Sequence, residues 1–273
     1  MKKLKEILYL TFLSALIMTG LALIMSPWIK NTIVQESAAT FTITTFTAEE
    51  LSANNMQTAG VSFDEQIEVL DFQTVLTGFN QVNRQDVIGA IAIYDVDMLV
   101  PIFNGTTSEN LIVGATTMIE GQVMGLGNYA LAGHHMQDAA LLFGPLLDVV
   151  PGMQVQITDK NNVYTYEVTE TFMVTDTDWW ILDETDVPTL TLMTCDVPGA
   201  TPYRWIVRAE LVSQVAYGEE ESPEVQVFQR TVETSIQNQQ PMMRYALIAP
   251  IALVPVFVFG NHAVKGRKSR SSL

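Results

Sequence analysis

Residues 189–212 read TLTLMTCDVPGATPYRWIVRAELV, and this stretch holds both the fold pattern and the reactive groups. The letters TLTLMTC predict a strand that ends at Cys195, and the DVPG that follows predicts a loop. The letters RWIVRAEL, which begin at Arg204, predict a second strand. Because the loop is long enough for the two strands to lie side by side, we expect Cys195 and Arg204 at the same edge of a sheet.

Short runs with a similar, strand-like composition precede this stretch in the chain. Each is rich in Val, Ile, Thr and Tyr and is flanked by Gly, Pro, Asn or Asp. With the two strands above, the predicted set is 87–94, 98–103, 110–115, 128–133, 153–158, 162–174, 189–195 and 204–212. One helix is predicted among them, over 139–147. About eight short strands with so little helix predict an all-β domain, either a closed barrel or a sandwich.

The charged residues are distributed unevenly along the 273 residues. The chain has 14 basic and 30 acidic side chains, a net charge of -16. Only five basic residues lie within 31–243, together with 29 of the 30 acids. Nucleic acid is excluded as the main partner because phosphate binding needs a basic surface. Basic ends around an acidic middle are typical of a membrane protein whose termini are cytoplasmic.

Residues 7–29 form the first candidate membrane span. They read ILYLTFLSALIMTGLALIMSPWI, without a charge, and about 20 apolar residues suffice to cross a bilayer as a helix. The alternative is a cleaved signal peptide, but the run is longer than the usual ~7–15 residues and no small-x-small site follows it directly. We therefore expect an uncleaved anchor, with the preceding MKKLK in the cytoplasm.

Residues 245–259 form a second apolar run, YALIAPIALVPVFVF, which precedes the basic tail KGRKSR. Its two prolines are tolerated in membrane helices where neighbouring groups satisfy the freed carbonyls. The alternative is a tail that lies on the membrane surface. The charge bias favours a second span, which would place both termini in the cytoplasm and the acidic middle outside the cell membrane.

These patterns divide the chain into six segments. A stretch of Thr, Ala, Gln and acids with one short helix at 48–54 predicts a stalk, and the letters GEEESP begin a solvated linker. The expected segments are a basic N-terminus and anchor (1–30), a stalk (31–80), the β domain (81–215), an acidic linker (216–243), a second span (244–264) and a basic tail (265–273).

Cysteine, histidine and arginine together suit acyl transfer. Cys195 is the only cysteine, and it stands where a strand becomes a loop, although a cysteine is commonly a small core residue. His134 and His135 end another predicted strand, after a glycine that leaves room for close approach. A thiolate could attack a carbonyl, an imidazolium could protonate the departing amine, and Arg204 could hold substrate or oxyanion charge. Arg208, four residues on, is the fallback for Arg204.

Metal and cofactor chemistry is not expected. A single cysteine rules out an intramolecular disulfide and zinc sites built on two or more cysteines. The two histidines, with the neighbouring Asp138, make a poor set of metal ligands.

The combination of LAGHHM, TLTLMTCD and an arginine that opens RWIV resembles the sortases of the housekeeping, class A type. The likeness covers roughly residues 87–212. It implies an eight-stranded barrel and a membrane-bound cysteine transpeptidase. Such enzymes cut a Leu-Pro-x-Thr-Gly-type signal on surface proteins between Thr and Gly, form a thioacyl enzyme and pass the acyl group to an amine of a lipid-linked peptidoglycan precursor.

The resemblance also implies roles for individual residues. His134 matches the catalytic histidine, Cys195 the nucleophile and Arg204 the arginine of the family, whereas His135 receives no chemistry. Thr194 matches the threonine before the cysteine and would help to shape the oxyanion site. Two adjacent tryptophans fall in the family's variable substrate-side loop and could line an apolar groove, or could simply pack on the barrel. They are Trp179 and Trp180.

Two further functions stay open. A C-terminal span is more typical of the pilin-polymerising class of the family, in which the acceptor is a lysine of another protein. That class also carries an Asp-Pro-aromatic lid, and no Asp-Pro dipeptide occurs in this chain. The non-enzymatic alternative is a membrane-anchored barrel that binds surface partners and has a structural cysteine.

Overall fold

The β-like runs pair into one closed barrel in a computed structural model of the chain, which describes residues 2–57 and 70–238. The strands follow the order β1-β2-β3-β4-β7-β8-β6-β5 around the barrel. They are β1 (Val87–Ile93), β2 (Met98–Phe103), β3 (Ala115–Thr117), β4 (Asn128–Ala132), β5 (Gln154–Thr158), β6 (Asn162–Thr175), β7 (Thr189–Cys195) and β8 (Tyr203–Ala216). The eight-stranded barrel expected from the sequence is thus confirmed.

Helices in the described residues lie mainly before and after the barrel strands. They are α1 (Lys2–Thr40), α2 (Ala48–Asn55), α3 (Phe72–Gly78), α4 (Ser108–Val113) and α5 (223–238). Short 3₁₀ turns occupy Gly144–Asp148 and Trp179–Leu182, among others. Within β1 every residue is buried, and the bulky side chains of Phe103, Tyr129 and Tyr166 fill the core.

Two strand pairings position the candidate site. β4 and β7 run parallel, with Ala132 beside Met193, so both strands end at the same rim of the barrel. β7 and β8 run antiparallel, and their last register pair joins Cys195 to Arg204. The loop that follows β4, the end of β7 and the start of β8 therefore meet at one rim, as the sequence predicted for Cys195 and Arg204.

Two elements differ from their sequence prediction. Residues 110–115 were expected to form a strand, but α4 occupies most of this run. The Thr107 hydroxyl accepts a hydrogen bond from the Asn110 amide at 3.2 Å, and the apolar residues after it are buried. Periodicity does not separate a buried helix from a strand in so short a run. The helix expected at 139–147 is reduced to the 3₁₀ turn Gly144–Asp148, because Leu142 has a positive φ of 51° that ends any helix there.

The N-terminal region contacts the barrel. α1 is long and apolar enough to cross a membrane over Leu4–Thr40, by length and composition. After it, Ile43, Phe46 and Leu51 are buried. The side chain of Asn54 donates hydrogen bonds to the carbonyls of Arg84 and Val87 at 3.1 and 2.7 Å. The helix expected at 48–54 is present as α2, and this part of the expected stalk packs beside β1.

The segment after the barrel also differs from the expectation. A polar linker was expected at 216–243, but α5 begins at residue 223, and its Val225 and Phe228 are fully buried. Gln156 of β5 donates a hydrogen bond to the carbonyl of Glu224 at 2.9 Å. The apolar run expected to form a second span, 245–259, lies outside the described residues.

Candidate active site

Cys195 is the last residue of β7 and is partly exposed at the rim. Its register partner Arg204 is held by its own loop: Nη1 donates hydrogen bonds to the carbonyls of Thr201 and Tyr203 at 2.7 and 3.1 Å. Nη2 lies 3.9 Å from a carboxylate oxygen of Asp176. The guanidinium is therefore fixed beside the end of β7 before any substrate arrives.

The loop after β4 brings two histidines to the same rim. The Gly133 amide donates to the Met193 carbonyl at 3.1 Å, and the buried Thr194 hydroxyl donates to the Gly133 carbonyl at 2.8 Å. These bonds extend the parallel β4–β7 register to the point where His134 begins. A Cβ on Gly133 would lie 2.6 Å from the Phe143 ring, so this close approach requires glycine.

His135 makes a direct contact that the sequence patterns did not predict. Its Nδ1 lies 3.0 Å from the backbone carbonyl oxygen of Cys195. A carbonyl can only accept a hydrogen bond, so Nδ1 carries the hydrogen in both the neutral and the protonated ring. The bond ties the His134–His135 pair to the end of β7. Two adjacent histidines at a strand end were the only signal in the sequence for this contact.

One cavity of about 520 Å³ joins the predicted catalytic groups. His134, Cys195 and Arg204 line it, and so does Thr194. Trp179 and Trp180 do not line it. The structure thus brings together four of the six residues that the sequence singled out for substrate binding or catalysis.

The two tryptophans lie on a turn beside the outer face of the barrel. Both are at least half exposed, and Trp180 stacks on Phe172 at 5.9 Å between ring centroids. Ile181, from the same turn, is buried with Val174 and Ile206, and Met193 packs against this apolar cluster. Met193 also lines the cavity, so the cluster continues into the site.

Burial sets the protonation of the sulfur and the imidazole. It lowers the pKa of His134 to about 4, and the positive charge of Lys30 acts in the same direction. Burial also raises the pKa of the Cys195 thiol, against the opposing effect of Arg204 and with a smaller contribution from Asp196. At neutral pH the resting pair is consequently a neutral thiol and a neutral imidazole.

A wall of the cavity comes from a part of the chain to which the sequence patterns gave no role. Ser26, Pro27 and Lys30 of α1 line the cavity, together with residues 70–72. Nothing in the local sequence signals this contact, because it joins α1 to strand ends that lie far along the chain.

A thiol, an imidazole and a guanidinium in one cavity are the groups of nucleophilic acyl transfer, and the comparisons agree with this chemistry. The family model named Sortase domain matches residues 91–212. Sortase A of Listeria monocytogenes is 40% identical over 196 residues, which cover 72% of this chain and 88% of that protein. The chain belongs to the sortase family. It is therefore an enzyme of a cysteine transpeptidase family.

One further relative supports the membership of this sortase in the family, and one solved structure shares its fold. Sortase A of Streptococcus agalactiae is 37% identical over 202 residues, which cover 72% of this chain and 81% of that protein. The crystal structure of sortase C-3 from Streptococcus pneumoniae aligns with a TM-score of 0.52 and 18% identity over 72% of this chain and 98% of that one. The latter similarity shows the barrel fold alone. The class A-like character predicted from the sequence is supported by the two sortase A relatives.

Proposed function

We propose that this sortase cleaves a Leu-Pro-x-Thr-Gly-type sorting signal between Thr and Gly and transfers the surface protein to an amine of a lipid-linked peptidoglycan precursor. One observation carries the proposal: His134, Cys195 and Arg204, from three separate strands or strand ends, line a single cavity. No cofactor is needed for this chemistry, since the sulfur is both nucleophile and acyl carrier.

The first half-reaction forms the thioacyl enzyme. The thiol proton of Cys195 moves to His134, and the thiolate attacks the threonine carbonyl to form a C–S bond. Arg204 stabilises the negative charge that develops on the carbonyl oxygen. As the C–N bond to glycine breaks, the His134 imidazolium gives its proton to the departing amine. The imidazole is left neutral, which matches its lowered pKa.

The second half-reaction regenerates the enzyme. The acceptor amine attacks the thioester carbonyl, forms the new amide bond and loses a proton to His134. The C–S bond breaks, and the sulfur takes that proton back. Each group thus returns to its resting neutral form. The choice of acceptor decides whether the product is a wall-linked protein.

Binding roles follow from the contacts around the cavity. The Thr194 hydroxyl donates a hydrogen bond to the Gly133 carbonyl, so we propose that Thr194 shapes the oxyanion site by holding the backbone there. We propose that the apolar side chains of the signal enter along Met193 towards the cluster that contains Ile181. Trp179 and Trp180 would then act as the outer edge of this groove.

The proposed function also includes a location of the enzyme at the cell membrane. We propose that residues 7–29 anchor the enzyme in the cell membrane with the barrel on the extracellular side and both termini in the cytoplasm. The proposal is supported by an apolar helix of sufficient length and by the basic residues at the two ends of the chain. A reporter fused after Leu273 is expected to lie in the cytoplasm, and an extracellular reporter would refute the second span.

The function is tested with the full chain in detergent, a fluorogenic sorting peptide and a glycine-based amine. We expect amine-dependent cleavage, and losses of at least about 10²-fold in kcat for Cys195→Ala, His134→Ala and Arg204→Ala. Arg230→Ala is the matched control, because its side chain is exposed on α5 and does not line the cavity. Full activity of Cys195→Ala would eliminate the thioacyl route, and capture by a pilin lysine in preference to the glycine amine would favour the polymerising alternative.

A further inference from the structure

The part of α1 where its apolar run ends forms part of the catalytic cavity. Ser26, Pro27 and Lys30 of α1 line the same cavity as His134 and Cys195. The charge of Lys30 is close enough to the His134 imidazole to act on its pKa. The wall of the cavity is therefore built from α1 as well as from the barrel.

Lys30 lies at a defined depth relative to a bilayer. It directly follows the uncharged run 7–29, which is long enough to span the hydrocarbon core. A lysine at the end of an apolar run places its ammonium among the lipid headgroups, and α1 itself continues beyond it to Thr40. The anion that is abundant at this depth is phosphate, so the cavity opens where a membrane-linked substrate would carry its phosphate.

The Lys30 ammonium has N–H groups that make no hydrogen bond within the described residues. Nζ donates one hydrogen bond, to the Leu70 carbonyl at 3.1 Å, and an ammonium has three N–H groups. Among residues 2–57 and 70–238, no carboxylate forms an ion pair with it within 4.0 Å. The Asp71 carboxylate, which also lines the cavity, interacts with the Lys30 charge from beyond ion-pair distance, while it accepts the Thr74 amide at 2.7 Å and caps α3.

Arg204, the other cation that lines the cavity, is already engaged. Its guanidinium donates to two carbonyls and approaches Asp176. The remaining N–H groups of Arg204 serve the oxyanion in the proposed reaction. Lys30 is thus the cation in the described part of this cavity that has unused donors and no role in the proposed acyl transfer.

We propose that Lys30 is a specificity-determining residue for the acceptor, and that its ammonium binds a phosphate group through which a membrane-embedded amine substrate is linked to its lipid. Binding this phosphate at the cavity wall holds the acceptor amine within reach of the thioester on Cys195. The inference rests on the proposed function, because it concerns the second half-reaction. If Lys30 had only a structural role, its ammonium would donate its hydrogen bond to the Leu70 carbonyl and would bind no substrate.

The test uses the full chain in phosphatidylcholine vesicles with three acceptors that carry the same glycine peptide. One is anchored to diacylglycerol through a phosphodiester, one through an uncharged ester, and one is soluble. We expect kcat/KM for the phosphodiester-anchored acceptor to exceed that for the ester-anchored one by about 10-fold. Lys30→Gln, which keeps a donor for Leu70 and loses the charge, should abolish this preference through KM, whereas Lys30→Arg should retain it.

Two control readouts separate this inference from the proposed function. Because loss of the Lys30 charge also acts on His134, thioacyl formation and transfer to the soluble amine are measured in Lys30→Gln and used to normalise its kcat/KM for the two anchored acceptors. Absence of the thioacyl adduct in both proteins would refute the proposed function itself. Adduct formation without any preference between the two anchored acceptors would overturn only the role of Lys30.

The source of the phosphate is tested by adding phosphatidylglycerol to the vesicles. A preference that persists supports recognition of the acceptor. A preference that disappears would assign Lys30 to bulk headgroups and overturn the proposal, as would an equal loss of activity with all three acceptors in Lys30→Gln.

Discussion

At the scale of single residues, the reaction depends on one proton shared between Cys195 and His134. The pKa of His134 is lowered to about 4 and that of Cys195 is raised, both chiefly by burial. At a pH between the pKa of His134 and that of Cys195, the two side chains share one titrating proton. In most molecules this proton is on the Cys195 sulfur, and in a small fraction it is on the His134 ring. Only that small fraction has the thiolate and the acid that the reaction needs.

This arrangement predicts a broad plateau in the pH dependence of kcat/KM. Activity should fall below about pH 4, where the ring is protonated while the sulfur keeps its proton, and again at alkaline pH, where the sulfur loses the last proton of the pair. The rate of Cys195 alkylation by iodoacetamide should stay low at neutral pH and rise only at alkaline pH. An alkylation midpoint below neutral pH would show a resting thiolate and contradict the account.

His135 is expected to act as a positioning residue. Its Nδ1–H holds the Cys195 carbonyl, and through it the end of β7, beside His134. We predict that His135→Ala lowers kcat by about 10-fold with little change in KM, because a small misplacement of reacting groups is costly. His135→Asn, whose amide can donate to the same carbonyl, should recover most of the activity.

The measurement is the kcat and KM of both variants over a range of pH, with thermal unfolding as a check on folding. The pH range over which kcat/KM stays constant should shift in His135→Ala and should not shift in His135→Asn. An equal loss in His135→Asn and His135→Ala would show that this hydrogen bond does not matter.

At the scale of elements, the parallel pairing of β4 with β7 places the reactive loop. The approach of the loop to its neighbour depends on Gly133, where a Cβ would lie 2.6 Å from the ring of Phe143. We predict that Gly133→Ala destabilises the enzyme by about 1–3 kcal/mol and lowers activity, since the ring or the loop must move. Urea unfolding and peptide cleavage measure the two effects.

A second substitution separates steric overlap from backbone flexibility. Phe143→Leu removes the ring atoms that the new methyl group would meet, so the double variant Gly133→Ala/Phe143→Leu should be less destabilised than the sum of the two single changes. Simple additivity would place the cause in the backbone of Gly133 instead.

α5 is expected to be a structural part of the domain. Phe228 is fully buried, and the carbonyl of Glu224 accepts a hydrogen bond from Gln156 of β5. We predict that Phe228→Ala lowers the free energy of unfolding by about 3–5 kcal/mol, as for other large-to-small core changes. Urea unfolding measures this loss, and Arg230→Ala, at an exposed position of the same helix, serves as the surface control. An unchanged unfolding midpoint in Phe228→Ala would support the linker first expected here.

The elements show why sequence patterns predicted some parts and missed others. The residue composition predicted the bounds of β1, β2 and β7 closely, because their residues have strong β propensity and residues typical of turns flank them on both sides. The same kind of composition wrongly predicted a strand at α4, where three consecutive apolar residues are buried in a helix. Parallel pairing of β4 and β7 is non-local, so no short window of sequence encodes it. The three reactive residues could be named, but their meeting in one cavity required coordinates.

At the scale of the whole molecule, the distribution of charge and the position of the cavity are connected. The acidic middle of the chain holds few cations, and two of them, Arg204 and Arg208, lie on β8. The anchor contributes Lys30 to the same cavity as Arg204. The N-terminal helix and the barrel thus contribute the two cations that line the cavity in the described part of the chain.

The central claim is that Cys195 carries the acyl group of a sorting peptide. The most direct measurement is the intact mass of the full chain after brief incubation with a Leu-Pro-x-Thr-Gly peptide in the absence of amine, followed by acid quenching and fragment mapping. We expect an added mass equal to the peptide acyl portion that ends in threonine, located on Cys195 and released by hydroxylamine or by a glycine amine. Cleavage of the peptide without any such adduct, or an adduct that persists in Cys195→Ala, would contradict it.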